Sequence, residues 1–194
     1  TCYRVYGKYL DRYEATLSNG AGADDTWWMS QWGFRVDSEP TTMNRLTLQG
    51  DYYFGNWGGR IRRHSLSSPG MYSDLVRASS KGGNLLGRWT HEFSSESELS
   101  IQTYFDRTDR EFGIGGEIRN TFDLDAQYRF NLSERHEIIW GAGYRYSVDD
   151  VAASQDFKMD DPSVGLQLGS AFVQDEVALI PERRSLTAGT KLEH

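Results

Sequence analysis

The chain is poor in the features that most functions need. Its one cysteine, Cys2, cannot form an internal disulfide, so no covalent staple holds the fold. No run of 18 apolar residues occurs and the mean hydropathy is -0.64, which excludes a helical membrane protein. The four histidines, His64, His91, His136 and His194, show neither the i, i+4 nor the Cys/His spacing of a zinc site. Nucleophile-elbow, Walker and dinucleotide fingerprints are absent, and Gly113-Ile114-Gly115-Gly116 reads as a plain loop. These absences predict a protein that is not an enzyme and needs no cofactor or metal. A net charge of -7 and a pI near 5.1 argue against a nucleic-acid partner, which would call for a basic surface. Residues 1–10 read as a strand and not as the apolar core of a signal, as in the mature start of a secreted protein or an excised piece.

What the chain has is alternation. From Phe122 to Phe130, Phe122, Leu124, Ala126, Tyr128 and Phe130 fall on one side, and Asp123, Asp125, Gln127 and Arg129 on the other. A strand has a period of two, so the sides separate into faces. Nine such segments are expected: Tyr3 to Arg12, Trp28 to Asp37, Arg45 to Tyr53, Asn84 to Phe93, Glu98 to Arg107, Thr121 to Phe130, Glu137 to Ser147, Leu168 to Leu179 and Ser185 to Glu193. The fold class is therefore an all-β antiparallel meander.

Such a pattern suits a soluble β-sandwich or lipocalin-like barrel that binds a small apolar ligand, with the apolar face inward. It equally suits a transmembrane barrel with that face turned to lipid and the charged face lining a wet lumen. Connection lengths favour the barrel. Ser38 to Asn44, Ser94 to Ser97, the turn through Leu132-Ser133-Glu134-Arg135, and Ile180 to Arg184 are short and polar. Tyr13 to Trp27, Phe54 to Gly83, Thr108 to Asn120 and Val148 to Gln167 are expected to be long loops. Short turns at one rim and long loops at the other are the arrangement of outer-membrane barrels. Aromatics make up 13% of the chain, with 11 Tyr and 6 Trp, and Trp89, Tyr128, Trp140 and Tyr146 are candidates for the interfacial girdles of such a wall.

One connection stands out chemically. Between Phe54 and Gly83, Arg60, Arg62, Arg63, His64, Arg77 and Lys81 make a basic stretch in an acidic chain. Guanidinium forks suit carboxylate, catecholate or phosphate groups, and Trp57 and Tyr72 add stacking surface. Trp57, Arg60, Arg62, Arg63 and Tyr72 are the candidate ligand-binding residues. The acidic pairs Asp24-Asp25, Asp149-Asp150 and Asp160-Asp161 lack the ligand spacing of a calcium loop. Asp106, Arg107, Asp109, Arg110 and Glu111 are expected to form an ion-pair network.

The runs Tyr3-Arg4-Val5-Tyr6-Gly7-Lys8-Tyr9, Trp32-Gly33-Phe34-Arg35-Val36-Asp37, Leu46-Thr47-Leu48-Gln49-Gly50-Asp51, Gly83-Asn84-Leu85-Leu86-Gly87-Arg88-Trp89 and Phe172-Val173-Gln174-Asp175-Glu176 resemble middle barrel strands of TonB-dependent outer-membrane receptors. So does the closing run from Leu186 to His194. The resemblance implies that residues 1–194 are part of a 22-stranded transmembrane β-barrel domain, without its plug and its C-terminal strand. It further implies a bacterial outer-membrane location and active uptake of a ferric siderophore or similar anionic metal chelate. The implied partners are outer-membrane lipid, that chelate, and the TonB energy-coupling protein acting through the plug. In such a receptor the basic stretch would capture the chelate or meet lipopolysaccharide.

Overall fold

The computed structural model describes residues 1–64, 70–113, 115–153, 159–180 and 183–194, apart from the side chains of Arg63, His64 and Met71. Nine strands form one antiparallel sheet in chain order: β1 (Cys2–Arg12), β2 (Trp27–Thr41), β3 (Asn44–His64), β4 (Met71–Ser94), β5 (Ser97–Glu111), β6 (Gly116–Ser133), β7 (His136–Ala152), β8 (Ser163–Ile180) and β9 (Arg184–Glu193). Every expected strand is present, and all nine follow the meander.

Register decides which side chains share a face, because residues directly opposed across an antiparallel pair point the same way. Starting from Leu124, the row Leu48, Gly87, Thr103, Leu124 and Tyr144 runs unbroken from β3 to β7. The same face carries Val5 and Tyr9 of β1, Trp32 and Phe34 of β2, Leu85 and Trp89 of β4, Ile101 and Phe105 of β5, and Trp140 of β7. We call it the apolar face. Opposite it lie Arg35, Asp37, Asp51, Arg88, Gln102, Asp123, Asp125, Arg129 and Arg145 on the polar face.

The apolar face forms a band with levels of aromatic rings along its two margins. On β7 the band runs from Ile138 to Val148, roughly 33 Å along the strand at about 3.3 Å per residue. One margin is marked by Trp89, Phe93, Tyr128, Phe130 and Trp140, whose rings contact in series with His91. The other is marked by Tyr9, Trp28, Tyr52 and Phe54, also in ring contact.

Nothing covers this band among the described residues. Trp32 is 58% exposed and Leu85 and Trp140 are 47% exposed, while the buried hydrophobic set consists of Ala78. A soluble sandwich or lipocalin-like barrel packs such side chains into a core, and among the described residues no second layer supplies one.

Rings set against glycines make the single layer tight. Trp32 opposes Gly7, Phe34 opposes Gly50 and Tyr52 opposes Gly83 on the apolar face. Tyr6 opposes Gly33, Tyr53 opposes Gly82 and Phe172 opposes Gly141 on the polar one. At Gly141 a Cβ would sit 2.5 Å from Phe172 Cε1, so the ring occupies the space a side chain would need. Each pair shields a strand backbone that glycine alone would leave open.

The two rims differ. At the short-turn rim each hairpin carries a register shift: Ser38/Thr41, Glu92/Ser94, Asn131/Ser133 and Ala178/Ile180. Bulges there sharpen twist and end the pairing. Neighbouring turns are stitched together, with the N–H of Glu92 donating to Met43 O (2.8 Å), Asn131 to Glu96 O (3.0 Å) and Ala178 to Arg135 O (2.8 Å). At the opposite rim the sequence expectation of long loops fails in part. Strands β3 and β4, at 21 and 24 residues, continue as a paired ladder from Phe54↔Lys81 to His64↔Met71. Most of the expected loop from Phe54 to Gly83 is thus a paired hairpin, and β5 to β8 also run past their expected ends. Residues 65–69, 114, 154–158 and 181–182 lie outside the described residues.

Candidate functional site

Pairing of β1 through β4 brings one row to the polar face above the charged wall: Arg12, Trp27, Trp57 and Ala78. The next row is Leu10, Met29, Gly55 and Ser80. Two indoles directly opposed on neighbouring strands stand about 5 Å apart at Cβ, beside a flexible thioether. The small residues Ala78, Gly55 and Ser80 leave space on the β4 side, and an open pocket of about 310 Å³ forms there. Its floor is backbone, since a Cβ on Gly55 would stand 2.5 Å from Trp28 O.

The segment 13–26 reaches the pocket's edge through Asp25. Its turn is closed by hydrogen bonds from Gly20 N–H to Leu17 O (2.9 Å) and from Ala23 N–H to Ala15 O (2.9 Å). Carboxylates tie its arms: Asp25 Oδ1 accepts from Ala15 N–H (2.6 Å) and Glu14 Oε2 from Asp24 N–H (3.0 Å). Thr26 O accepts from Gly58 N–H at 2.8 Å, which seats the segment on β3. Asp24 adopts φ 57°, a left-handed conformation that aspartate tolerates. Its Oδ2 accepts from Arg60 Nε at 2.7 Å. Arg12 and Asp25 line the same pocket as the indoles, so a guanidinium and a carboxylate flank an aromatic shelf. That set can hold a flat or apolar group by stacking while Arg12 takes an anionic substituent.

The candidate residues named from sequence are not gathered into one site. Trp57 and Tyr72 stand on the polar face, whereas Arg60 and Arg62 alternate onto the apolar face beyond the band. The side chain of Arg63 lies outside the described residues. Arg12, Trp27 and Met29 were missed because their nearness to Trp57 depends on the pairing register, which no local pattern reveals.

Below the shelf the polar face is a field of matched charges. Arg145 Nε donates to Asp123 Oδ2 (2.8 Å), Arg35 Nε to Asp37 Oδ2 (2.7 Å) and Arg45 Nη2 to Glu98 Oε2 (2.7 Å). Thr47 Oγ1 donates to Asp37 Oδ1 (2.7 Å) and Tyr6 donates to Asp51. Among the described residues the expected network of Asp106, Arg107, Asp109, Arg110 and Glu111 does not form: Arg107, Asp109 and Glu111 stand on one face, Asp106 and Arg110 on the other. Arg107 Nη1 instead donates to Asn120 Oδ1 (2.9 Å), and Asp109 pairs with Lys81 (3.2 Å). Among the described residues no group of three or more His, Cys, Asp and Glu could hold a metal ion.

No family model and no curated relative matches the chain. Among solved structures it is similar to the copper transporter OprC, at 11% identity and a TM-score of 0.47, over 96% of this chain and 41% of that one. The chain thus spans well under half the length of that protein, and a likeness so slight leaves assignment to the geometry of the two faces.

Proposed function

We propose that this chain is a section of the wall of a β-barrel that spans the bacterial outer membrane and serves an active-transport receptor. One observation carries the reading. On the apolar face, from the row of Phe105, Phe122 and Tyr146 to the row of Phe130 and Ile138, Asp175 is the one Asp, Glu, Lys or Arg among the described residues, and it sits at the short-turn margin bonded to His136 Nδ1 (2.8 Å). The other face of the same strands is dense with paired charge. A sheet so divided places one side in hydrocarbon and the other in water. Long strands carrying loops rise at one rim and bulged tight turns close the other, as an outer-membrane wall requires.

The transported ligand is a ferric siderophore or similar anionic metal chelate, received on the indole shelf under Arg12 and moved with energy from the TonB system. Support for this comes from the shelf's chemistry and from the strand sequences. The protein performs transport and no catalysis. Two measurements test it in the intact protein. A lipid-soluble quencher should reach probes at Leu124, Tyr128, Ile138 and Trp140, while a water-soluble thiol reagent should modify cysteines placed at Asp123, Asp125 and Arg145. The reverse pattern sinks the membrane reading. Uptake of a radiolabelled ferric catecholate should fall when Trp27 and Trp57 are both replaced by Ala, and unchanged uptake would remove the shelf from the ligand path.

A further inference from the structure

Beyond the band, on the side of the sheet that carries the apolar face, three consecutive rows come together between β3, β4 and the segment 13–26. The first row sets Trp28 opposite Asn56. In the second, Gly58 opposes Arg77 and donates its N–H to Thr26 O. In the third, Arg60 opposes Leu75 and holds Asp24. Four residues of β3 separate the first row from the third, roughly 13 Å, so one small molecule reaches all three. The segment turns back over these rows, and Glu14 on its first arm accepts from Asp24 N–H at 3.0 Å. Between segment and hairpin lies an open pocket of about 530 Å³, lined by Glu14, Asp24, Thr26, Trp28, Asn56 and Arg77, a size that suits a small ligand. Its floor at Gly58 is bare backbone, where a Cβ would stand 2.6 Å from Asp24 O. Trp27, Met29 and Trp57 of the indole shelf point to the other side of the same strands.

The lining selects the ligand by elimination. Two carboxylates stand against the guanidinium of Arg77, with Arg60 already held by Asp24, and such a field repels an anion. Among the described residues no group of three His, Cys, Asp or Glu is placed to hold a metal ion. The Thr26 hydroxyl, the Asn56 amide and the Arg77 guanidinium have no hydrogen-bond or ion-pair partner among the described residues, and a wholly apolar molecule would leave them so. A carbohydrate satisfies them all. Each sugar hydroxyl both donates and accepts, so a carboxylate or an amide takes a neighbouring pair and a guanidinium donates to a pair. The C–H face of the ring packs on an indole, here Trp28, which a T-shaped contact with Phe54 fixes at 5.5 Å between centroids. We propose that this pocket binds a neutral sugar, a mono- or disaccharide unit of a soluble oligosaccharide. It faces away from the shelf and takes a ligand other than the transported one.

Saturation-transfer NMR on the intact protein in neutral detergent tests this, with neutral oligosaccharides of glucose, galactose and mannose and with micellar lipopolysaccharide as probes. At least one neutral series should show transfer. The signal should hold as salt is raised to about 1 M, because the ligand has no charge to screen. Thr26→Val combined with Arg77→Ala should weaken binding of that sugar at least about tenfold, the loss of a hydrogen bond at each position, while Trp27→Ala in the shelf should leave it unchanged. If the double variant does not fold, Thr26→Val alone, which removes the hydroxyl at nearly constant shape, should weaken binding about threefold or more. Transfer from none of the three neutral series, transfer from lipopolysaccharide alone, or undiminished binding by the variants overturns the sugar site. None of these results bears on the shelf, which stands or falls on chelate uptake by the variant lacking Trp27 and Trp57.

Discussion

The two faces of this sheet are built from the same strands, residue by residue in alternation, yet they solve opposite problems. On the apolar face the side chains touch one another at the ring margins and are otherwise left half-exposed among the described residues. On the polar face charges are matched within the protein, Arg145 with Asp123 and Arg129 with Glu137, and little is asked of the exterior beyond water. A soluble protein hides the first kind of face in a core. Among the described residues the buried hydrophobic set here is Ala78, and the two faces stay distinct without a core between them.

The largest break in that contrast should come from moving charge across it. Leu124→Arg, near the middle of the band, should destabilise a reconstituted barrel by about 2–4 kcal/mol. Gln127→Arg, three residues away on the polar face, should stay within about 0.5 kcal/mol. Urea unfolding in lipid bilayers gives both values. Equal costs would mean that the faces share one environment, and the membrane reading would fall.

Next in size are the ring-and-glycine pairs, three of which lie on each face. A Cβ at Gly82 would meet Arg107 O at 2.6 Å and Tyr53 Oη at 2.7 Å, so both a backbone and a ring stand in its way. Gly82→Val should cost about 1–3 kcal/mol. Gly59 has nothing within 4 Å of its would-be Cβ, and Gly59→Ala should be neutral or stabilising by up to about 1 kcal/mol through the unfolded state. The same unfolding assay separates them, and a costly Gly59→Ala would show that the extended hairpin is packed against something else.

How much of this was legible in the sequence follows from the same contrast. Where one face is apolar and the other polar, alternation writes the strand into the sequence, and Phe122 to Phe130 announced β6. Past the band both faces carry polar residues. Gly58-Gly59-Arg60-Ile61-Arg62-Arg63 of β3 therefore shows no one-sided pattern, and a ladder passed for a loop. The assignment of Leu124, Tyr128, Ile138 and Trp140 to one face and Asp123, Asp125 and Arg145 to the other needed only the period of two. Grouping Arg60 with Trp57 needed the hairpin, whose alternation separates them. The shelf of Arg12, Trp27 and Trp57 joins three strands, and only register brings them together.

The smallest expected effect sharpens the polar side of the comparison. Arg145 and Asp123 hold a 2.8 Å contact, but the arginine side chain is 57% exposed and the aspartate 20%. Water screens a pair so open, and ordering two side chains costs entropy, so Arg145→Gln should destabilise by about 0.2–1 kcal/mol. The effect should shrink further as salt is raised toward 1 M, where the screening length falls to about 3 Å. Gln keeps a hydrogen-bonding group in reach of Asp123, so the measured difference reports charge more than contact. A double change with Asp123→Asn isolates the pair itself. A coupling well above about 1 kcal/mol, insensitive to salt, would mean that this stretch of the polar face is shut off from water, and the lumen would then have to be filled there by protein.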